Sequence, residues 1–523
     1  MSDLIKINRA LISVSDKTGI TKLAEELNAM GVEILSTGGT LKVMKEAGVQ
    51  AISVSTFTGS PEILGGRVKT LHPKIHAGLL ARRDNEKDMD TMRDSDYKSI
   101  DLVIVNLYPF EQTVADPKAV DEDIIENIDI GGPSMLRSSA KNHASVTVVV
   151  NPSDYQNLLK EMKENDGATT FEFRRSCAAK AFALTSRYDT AITRYFSAAS
   201  KEETEMFPPK LDLDFTYRSE LRYGENPHQK AAIYVADEYK GPTLLDGNIL
   251  SGKELSYNNY GDLDACLDML LDFSEPFACV LKHANPCGAA VADTIADAYK
   301  LAYESDPLSA FGSIIGLNRE VNIECAKLLH ETPFVECMIA PSFTEEAFKL
   351  LKKKTTRRLL SLPQISGGLP KGQMVYKSIR GGMLLQMQDD LETNVDELKI
   401  VTKRKPTKEE LKSLLFAWKV VKHTKSNAIV LAKGGATVGI GMGQTSRVDS
   451  GFMAVKRAGD RAKGSVMASD AFYPMPDGIE GGTDAGVTAI IQPGGSKGDD
   501  QAIEAADKAG AAMVFTGHRH FKH

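Results

Sequence analysis

Short apolar runs alternate with amphipathic stretches through the first 197 residues. Residues 10–14, 32–35, 51–54, 101–106 and 145–150 have the apolar, β-branched character of buried strands. Helical periodicity occupies 18–30, 40–47 and 153–164, and a longer amphipathic pattern covers 171–196. Such alternation predicts a mostly parallel sheet with helices on its faces. The pattern then stops: residues 197–209 are polar and end in Pro-Pro, which predicts a linker. It resumes in the second half, with strands expected at 277–281, 314–317 and 359–362. Helices are expected at 262–271, from Ala289 through Tyr303, and at 450–462. The expected division is 1–197, a linker over 198–215, and 216–523.

The 523 residues exceed one ordinary core, in keeping with several domains. Apolar (42%) and charged (25%) fractions are those of a soluble globular protein, and a net charge of −7 opposes general nucleic-acid binding. Residues 349–358 are strongly basic. A nucleic-acid patch and a helix end before a strand are the alternatives, and the acidic whole favours the second. Six cysteines include no C-x-x-C pair, so zinc-ribbon and redox-motif readings lack support and a reducing compartment suits the thiols. The N-terminus has no signal-peptide core and no apolar run is long enough to span a bilayer. The expectation is a cytoplasmic protein with no membrane or nucleic-acid partner.

Candidate chemistry gathers where strands end. Strand 32–35 runs into Ser36-Thr37-Gly38-Gly39-Thr40 before a helix, which reads equally as a phosphate cradle or a plain strand–helix turn. It has neither the Walker lysine spacing nor the G-x-G-x-x-G fingerprint. Ser15-Asp16-Lys17-Thr18-Gly19 is a similar loop, or an ordinary Asp cap. Gly65-Gly66-Arg67-Val68-Lys69-Thr70 combines two glycines, two cations and a hydroxyl; its guanidinium can grip a phosphate through two N–H groups. Asn106 and Tyr108 end the fourth strand. Asp129, Gly131 and Gly132 open a helix that ends near Lys141. Alone, Asp129 reads as a helix-start residue; buried, it needs a partner, and Lys69 or Lys141 can serve. Together these loops would surround a phosphorylated ligand.

In the second half, Lys282-His283 follows strand 277–281 and precedes the apparent turn Asn285-Pro286-Cys287-Gly288. That places the pair at the carboxyl edge of a sheet, where open α/β sheets bind ligands. A neighbouring ammonium favours neutral imidazole, so the pair can supply a base near neutral pH; a surface lysine beside a capping histidine is the plain alternative. Arg222-Tyr223 is a charged turn or a phosphate-gripping, stacking pair. Asn427 heads a strand, and Phe472 follows Asp470-Ala471. The terminal residues, with His518, Arg519, His520 and Phe521, form either a loose tail or a docked one.

These motifs form one ordered series: S-V-S-D-K-T-G, S-T-G-G-T, G-G-R-V-K-T-L-H-P, N-L-Y-P-F, I-D-I-G-G-P-S-M-L-R, A-K-N-H, L-R-Y-G-E-N-P-H-Q, K-H-A-N-P-C-G, K-S-N-A, G-M-G-Q-T-S-R and S-D-A-F. The series resembles the bifunctional purine-biosynthesis enzymes that join an AICAR transformylase to an IMP cyclohydrolase, almost end to end. The resemblance implies an α/β protein. A methylglyoxal-synthase-like, Rossmann-like domain over 1–197 would be the cyclohydrolase. Two cytidine-deaminase-like subdomains over 216–523 would form the transformylase. It implies formyl transfer from 10-formyltetrahydrofolate to AICAR, giving FAICAR and tetrahydrofolate, then dehydrative closure of FAICAR to IMP.

By the same resemblance His283 transfers the proton, Lys282 assists it, and Asn427 orients the formyl or amine group. Arg222, Tyr223 and Arg519 hold AICAR, and Phe472 lines the site. Lys69, Tyr108, Asp129 and Lys141 surround the closing ring. Arg67 with Ser36, Thr37 and Gly38 holds the phosphate, and Ser15, Lys17, Thr70, Asn106, Gly131 and Gly132 complete the substrate contacts. The resemblance further implies 10-formyltetrahydrofolate as co-substrate, no tightly bound cofactor, no catalytic metal, an allowed structural potassium ion, and a homodimer sharing the transformylase site. No H-x-E with P-C-x-x-C pattern is present, so a deaminase-like fold here should lack zinc. Phe472-Tyr473-Pro474-Met475 and His518 depart from the usual family pattern. A single-activity member and a non-catalytic nucleotide-binding regulator are the alternatives; a regulator has no need of a base beside a reacting amine.

Overall fold

In the strand Arg9–Val14, Ala10, Ile12 and Val14 turn to one face and Leu11 to the other. Leu102–Asn106 divides Leu102 and Ile104 from Val103 and Val105 in the same way. A sheet apolar on both faces needs helices on both. The computed structural model, which describes residues 3–199, 206–211, 213–236, 239 and 241–523, has this arrangement in its first unit, residues 1–211. Five parallel strands lie in the order Ile52–Ser53, Glu33–Ser36, Arg9–Val14, Leu102–Asn106, Thr147–Val149. Helices Ile20–Ala29, Gly38–Glu46 and Tyr155–Glu164 cover one face, and Pro73–Leu80, Gly131–Lys141 and Phe171–Ala199 the other. All five expected strands are present. The strand expected at 51–54 keeps only two residues, because Val54 starts a short helix capped by Ser53.

The second unit, residues 212–523, is one element pattern used twice. The first copy runs helix Tyr257–Leu271, hairpin Phe277–Lys282 with Asn285–Val291, helix Ile295–Ser305, then strand Ser313–Leu317 antiparallel to the first hairpin strand. Parallel strands Val335–Ala340 and Arg358–Ser361 follow, with Asn248–Ser251 as antiparallel edge. The second copy runs helix Lys408–Lys422, hairpin Ile429–Lys433 with Ala436–Gly441, helix Arg447–Ala458 and strand Val466–Ser469. It closes with Ala489–Gln492 and Ala512–Phe515, and Lys399–Ile400 is its edge. The two hairpins meet at Ala290 opposite Ala436, which makes a continuous twelve-stranded sheet. Helices Tyr257–Leu271 and Lys408–Lys422 share one apolar core on a single face of it.

Two expectations need correction. Pro286, Cys287 and Gly288 lie inside the strand Asn285–Val291, and the turn before it is His283-Ala284 alone. The ladder shifts register between Val280 and Leu281, and that irregularity lets Pro286 stand opposite Leu281. The helix expected from Ala289 therefore starts only at Ile295, where Thr294 caps it by accepting the Asp297 N–H at 3.1 Å. The basic run 349–358 serves packing: Lys354 donates to His330 O (2.6 Å) and Thr332 O (3.2 Å), and Arg357 to Thr332 O (2.5 Å). These cations close the carbonyl end of helix Ile323–Glu331. Of the expected linker, residues 200–205 and 212 lie outside the described residues.

Each hairpin also needs a glycine under the helix that follows. A Cβ on Gly288 would stand 2.0 Å from Ala302 O, and one on Gly441 1.8 Å from Ser450 O. Neither contact can relax without moving helix backbone. Gly441→Ala should therefore destabilise the protein by about 1–3 kcal/mol, read as a lower urea midpoint; an unchanged midpoint would show that the helix moves freely.

Candidate active sites

The first cleft, about 650 Å³, opens at the carboxyl ends of Arg9–Val14, Glu33–Ser36 and Leu102–Asn106. Its loops are fixed by side chains from neighbouring strands. Asn106 Oδ1 accepts the N–H groups of Ser15 (2.6 Å) and Asp16 (2.9 Å), and its Nδ2 donates to Asp16 O (2.9 Å). Asn106 thus closes the loop that carries Lys17. Helix Gly38–Glu46 starts beyond Thr37, whose hydroxyl bonds Ser13 Oγ (2.9 Å) and caps no helical N–H. The open amide end faces two ammonium groups. A Cβ on Gly39 would lie 3.6 Å from Lys17 Cε, and one on Gly38 3.8 Å from Lys69 Nζ. Free N–H groups, the positive helix end and two cations together suit a phosphate monoester.

Asp129 stands on the opposite wall. Its Oδ1 accepts the Gly132 N–H at 2.8 Å, and its own N–H donates to Tyr188 Oη at 2.8 Å. A Cβ on Gly132 would come within 2.4 Å of Asp129 Oδ2 and 2.7 Å of Leu107 Cδ2, so a side chain there would displace the Asp129 carboxyl. Burial pushes the Asp129 carboxyl above its ordinary range, while the Gly132 and Tyr108 N–H groups and the Lys69 charge oppose it. Tyr108, Thr70, Arg67 and Gly131 line the same cleft, and Arg67 ion-pairs with Glu126 at the rim. Ser36 and Lys141 do not line it. Ser36 is fully buried and donates to Ile12 O (2.7 Å) as a strand-to-strand clip. Lys141 is exposed at the far end of helix Gly131–Lys141, about 15 Å from Gly131 at the rise of an α-helix.

The second cleft, about 390 Å³, is lined by Asn427, Arg447, Phe472, Met475, Arg519 and Phe521 among others. Asn427 is held in one orientation. Its Nδ2 donates to Gln444 O (3.0 Å) and Thr445 O (3.3 Å), and its Oδ1 accepts from Arg447 Nη2 (2.8 Å). Arg447 in turn pairs with the fully buried Asp470 and donates to Ser469 Oγ (2.8 Å). The C-terminal tail is docked: His520 N donates to Asp470 O (3.0 Å), and Lys522 exchanges two hydrogen bonds with Ser426. Docking brings Arg519 to the cleft, its guanidinium 4.4 Å over the Phe521 ring. His518 points elsewhere, to Thr393 Oγ1 (3.1 Å) and the Trp418 ring. Arg447 and Asp470 carry this site, yet the sequence reading assigned them no role. Their signal was an Arg closing the Gly-rich turn and an Asp ending the adjacent strand.

Lys282 ends its strand and donates to Phe311 O (2.9 Å); exposed His283 forms the following turn. Neither lines the second cleft. Asn285 Oδ1 accepts the Lys425 N–H (3.1 Å) and so joins this hairpin to the segment bearing Asn427. Arg222 and Tyr223 stack on one another, 5.5 Å from guanidinium to ring centroid, and line neither cleft. Among the described residues, no three His, Cys, Asp or Glu side chains gather as a metal site, and no helix is long and apolar enough to cross a membrane.

Two family models match the sequence: AICARFT/IMPCHase bienzyme over residues 139–457, and MGS-like domain over 19–134. The bifunctional purine biosynthesis protein PurH of Acetivibrio thermocellus is 50% identical over 517 residues, 99% of this chain and 100% of the relative. The PurH of Halalkalibacterium halodurans is 52% identical over 515 residues, 98% of this chain and 99% of its own. The crystal structure of ForH matches 36% of this chain and 99% of that one at 34% identity, with a TM-score of 0.33.

The helix-end site makes a direct prediction. Lys17→Ala and Lys69→Ala should each weaken binding of a nucleoside 5′-monophosphate about tenfold at low ionic strength, and the loss should shrink as salt rises. Titration calorimetry measures this; undiminished affinity in both variants would move the phosphate away from Gly38.

Proposed function

We infer the division of labour between the clefts from one premise: the chain belongs to the AICARFT/IMPCHase bienzyme family. It is a bifunctional enzyme of purine biosynthesis. It transfers the formyl group of 10-formyltetrahydrofolate to the 5-amino group of AICAR, and it closes the product, FAICAR, to IMP with loss of water.

The N-terminal domain, 1–197, is proposed as the cyclohydrolase. The observation that carries this reading is the uncapped helix end between Lys17 and Lys69, facing a carboxyl raised by burial. The nucleotide phosphate would sit on the Gly38 amides, and the ring to be closed would lie between Lys69, Tyr108 and Asp129. Closure joins the carboxamide nitrogen to the formyl carbon. The carboxamide nitrogen gives up one proton and the formylated amine nitrogen the other, and the formyl oxygen takes both and leaves as water. A carboxyl held above its usual range exchanges a proton more readily near neutral pH, and Lys69 can steady the developing oxyanion. No step is assigned to Lys141.

The domain 216–523 is proposed as the transformylase. The AICAR amine is a poor nucleophile, so placement and proton removal both matter. As the amine nitrogen bonds to the formyl carbon, His283 would take the amine proton with help from Lys282. The bond from that carbon to the folate nitrogen breaks, and the nitrogen recovers a proton. Asn427 orients the reacting groups, Phe472 lines the folate side, and Arg519 with Arg222 and Tyr223 holds the nucleotide. The homodimer with a shared transformylase site is carried over from the family resemblance. The six cysteines are buried and none is in a disulfide, which suits the reducing cytoplasm.

Purified protein given AICAR and 10-formyltetrahydrofolate should release tetrahydrofolate and IMP together; tetrahydrofolate without IMP would overturn the N-terminal assignment. His283→Ala should lower transformylase turnover about 100-fold or more while sparing cyclization of added FAICAR. Mixing His283→Ala with Arg519→Ala homodimers should restore about a quarter of the wild-type rate if the two residues meet across a twofold interface. No recovery after verified subunit exchange would return both residues to one chain.

A further inference from the structure

His283 sits in a turn that its own hairpin does not hold alone. His283 and Ala284 both have left-handed backbone, φ 53° and 57°, which side-chain-bearing residues seldom adopt. The support comes from helix Tyr257–Leu271. Its residue Asp262 accepts the Ala284 N–H through Oδ1 at 2.7 Å, and the same carboxylate meets the N–H of His283. The helix is well anchored for that task. Ser256 and Asn259 form a reciprocal capping box at its start, and Leu263, Cys266, Leu267 and Leu270 are buried beneath it. On the other side, Asn285 Nδ2 donates to His283 O (3.1 Å) while Asn285 Oδ1 accepts from Lys425 N (3.1 Å). The turn is clamped between Asp262 and the segment that bears Asn427.

We propose that Asp262 is a positioning residue of the transformylase. It fixes the direction of the His283 imidazole through the N–H groups of the turn, and it sets a negative charge beside that ring. The proposal rests on His283 being the proton-transfer group. Four groups pull the Asp262 carboxyl downward against burial, which raises it: the Ala284 N–H, the His283 ring, the His283 N–H and the Lys425 ammonium. The Cys266 and Cys337 thiols also face it, from its own helix and from strand Val335–Ala340. Lys282 is engaged elsewhere, at Phe311 O. A carboxylate placed this way acts on catalysis without touching substrate.

Two substitutions separate geometry from charge. Asp262→Asn keeps an oxygen for the turn and removes the charge; Asp262→Ala removes both. Transformylase kcat should fall about tenfold or more in Asp262→Ala, with KM for AICAR held within about threefold and FAICAR cyclization unchanged. In Asp262→Asn the fall should be smaller, because an oxygen remains for the turn N–H groups. Should Asp262→Ala melt below assay temperature, Asp262→Asn decides alone. Wild-type kcat overturns the role of Asp262. His283→Ala in the same assay tells the two failures apart. Wild-type turnover there overturns the reading on which the proposal rests; loss there beside unaffected Asp262 variants overturns Asp262 only.

Discussion

The cleft around Asn427 depends on one buried ion pair. Asp470 is fully buried and its partner Arg447 is nearly so. Neither ion could remain there alone, because an uncompensated charge in such a place costs about 3–5 kcal/mol. Once paired, the two ions direct everything around them. Arg447 spends its remaining donors on Ser469 and Asn427, which settles the orientation of the Asn427 amide. Asp470 takes the Ser426 hydroxyl (2.5 Å) on its other oxygen. Ser426 and the Asp470 backbone in turn bind the C-terminal tail, which places Arg519. The pair is thus less a source of stability than a means of fixing one register for three segments far apart in sequence.

The N-terminal cleft is built by the same means with neutral groups. Asn106 uses its whole amide on the Ser15–Asp16 backbone, and Thr40 bonds both N–H and C=O of Val14. These residues stand at the cleft wall, yet they are consumed in holding loops still. What remains free is backbone: the amides at Gly38, which no side chain caps. A rigid loop with unspent N–H groups is preorganised for an anion and needs little rearrangement when one arrives.

That difference explains what could be read from the sequence. The parallel sheet was legible because short runs apolar on both faces, such as Arg9–Val14 and Leu102–Asn106, alternate along the chain with amphipathic helical stretches. Lys17, Lys69 and Asp129 were legible as a group because each follows a different strand of one sheet and so returns to one edge. Pro286 and Gly288 were misread as turn residues. Pro286 is tolerated only where the ladder is irregular, and Gly288 is needed only because Ala302 O lies so close, and neither fact is local. The duplication was expected only through the family resemblance, because its copies share element order while their hairpins carry unlike motifs, K-H-A-N-P-C-G and K-S-N-A. Arg447 and Asp470 went unassigned for a related reason. Their meaning lies in each other, and they sit on separate elements.

The duplicated fold also constrains how a shared site can work. Each copy offers the turn or loop at the end of its hairpin: His283-Ala284 in one, and in the other Lys425–Asn427 just before the first hairpin strand. Asn285 ties the two by its bond to Lys425, so they cannot shift independently. In one chain His283 remains exposed to water, a poor setting for moving a proton between weak acids and bases. In the proposed homodimer, a second subunit laid over this edge would exclude that water. Burying the imidazole would then strengthen its interaction with Asp262, since charges act more strongly as solvent leaves. In that proposed assembly, the exposed turn of His283 would gain the low-dielectric surroundings it lacks in one chain.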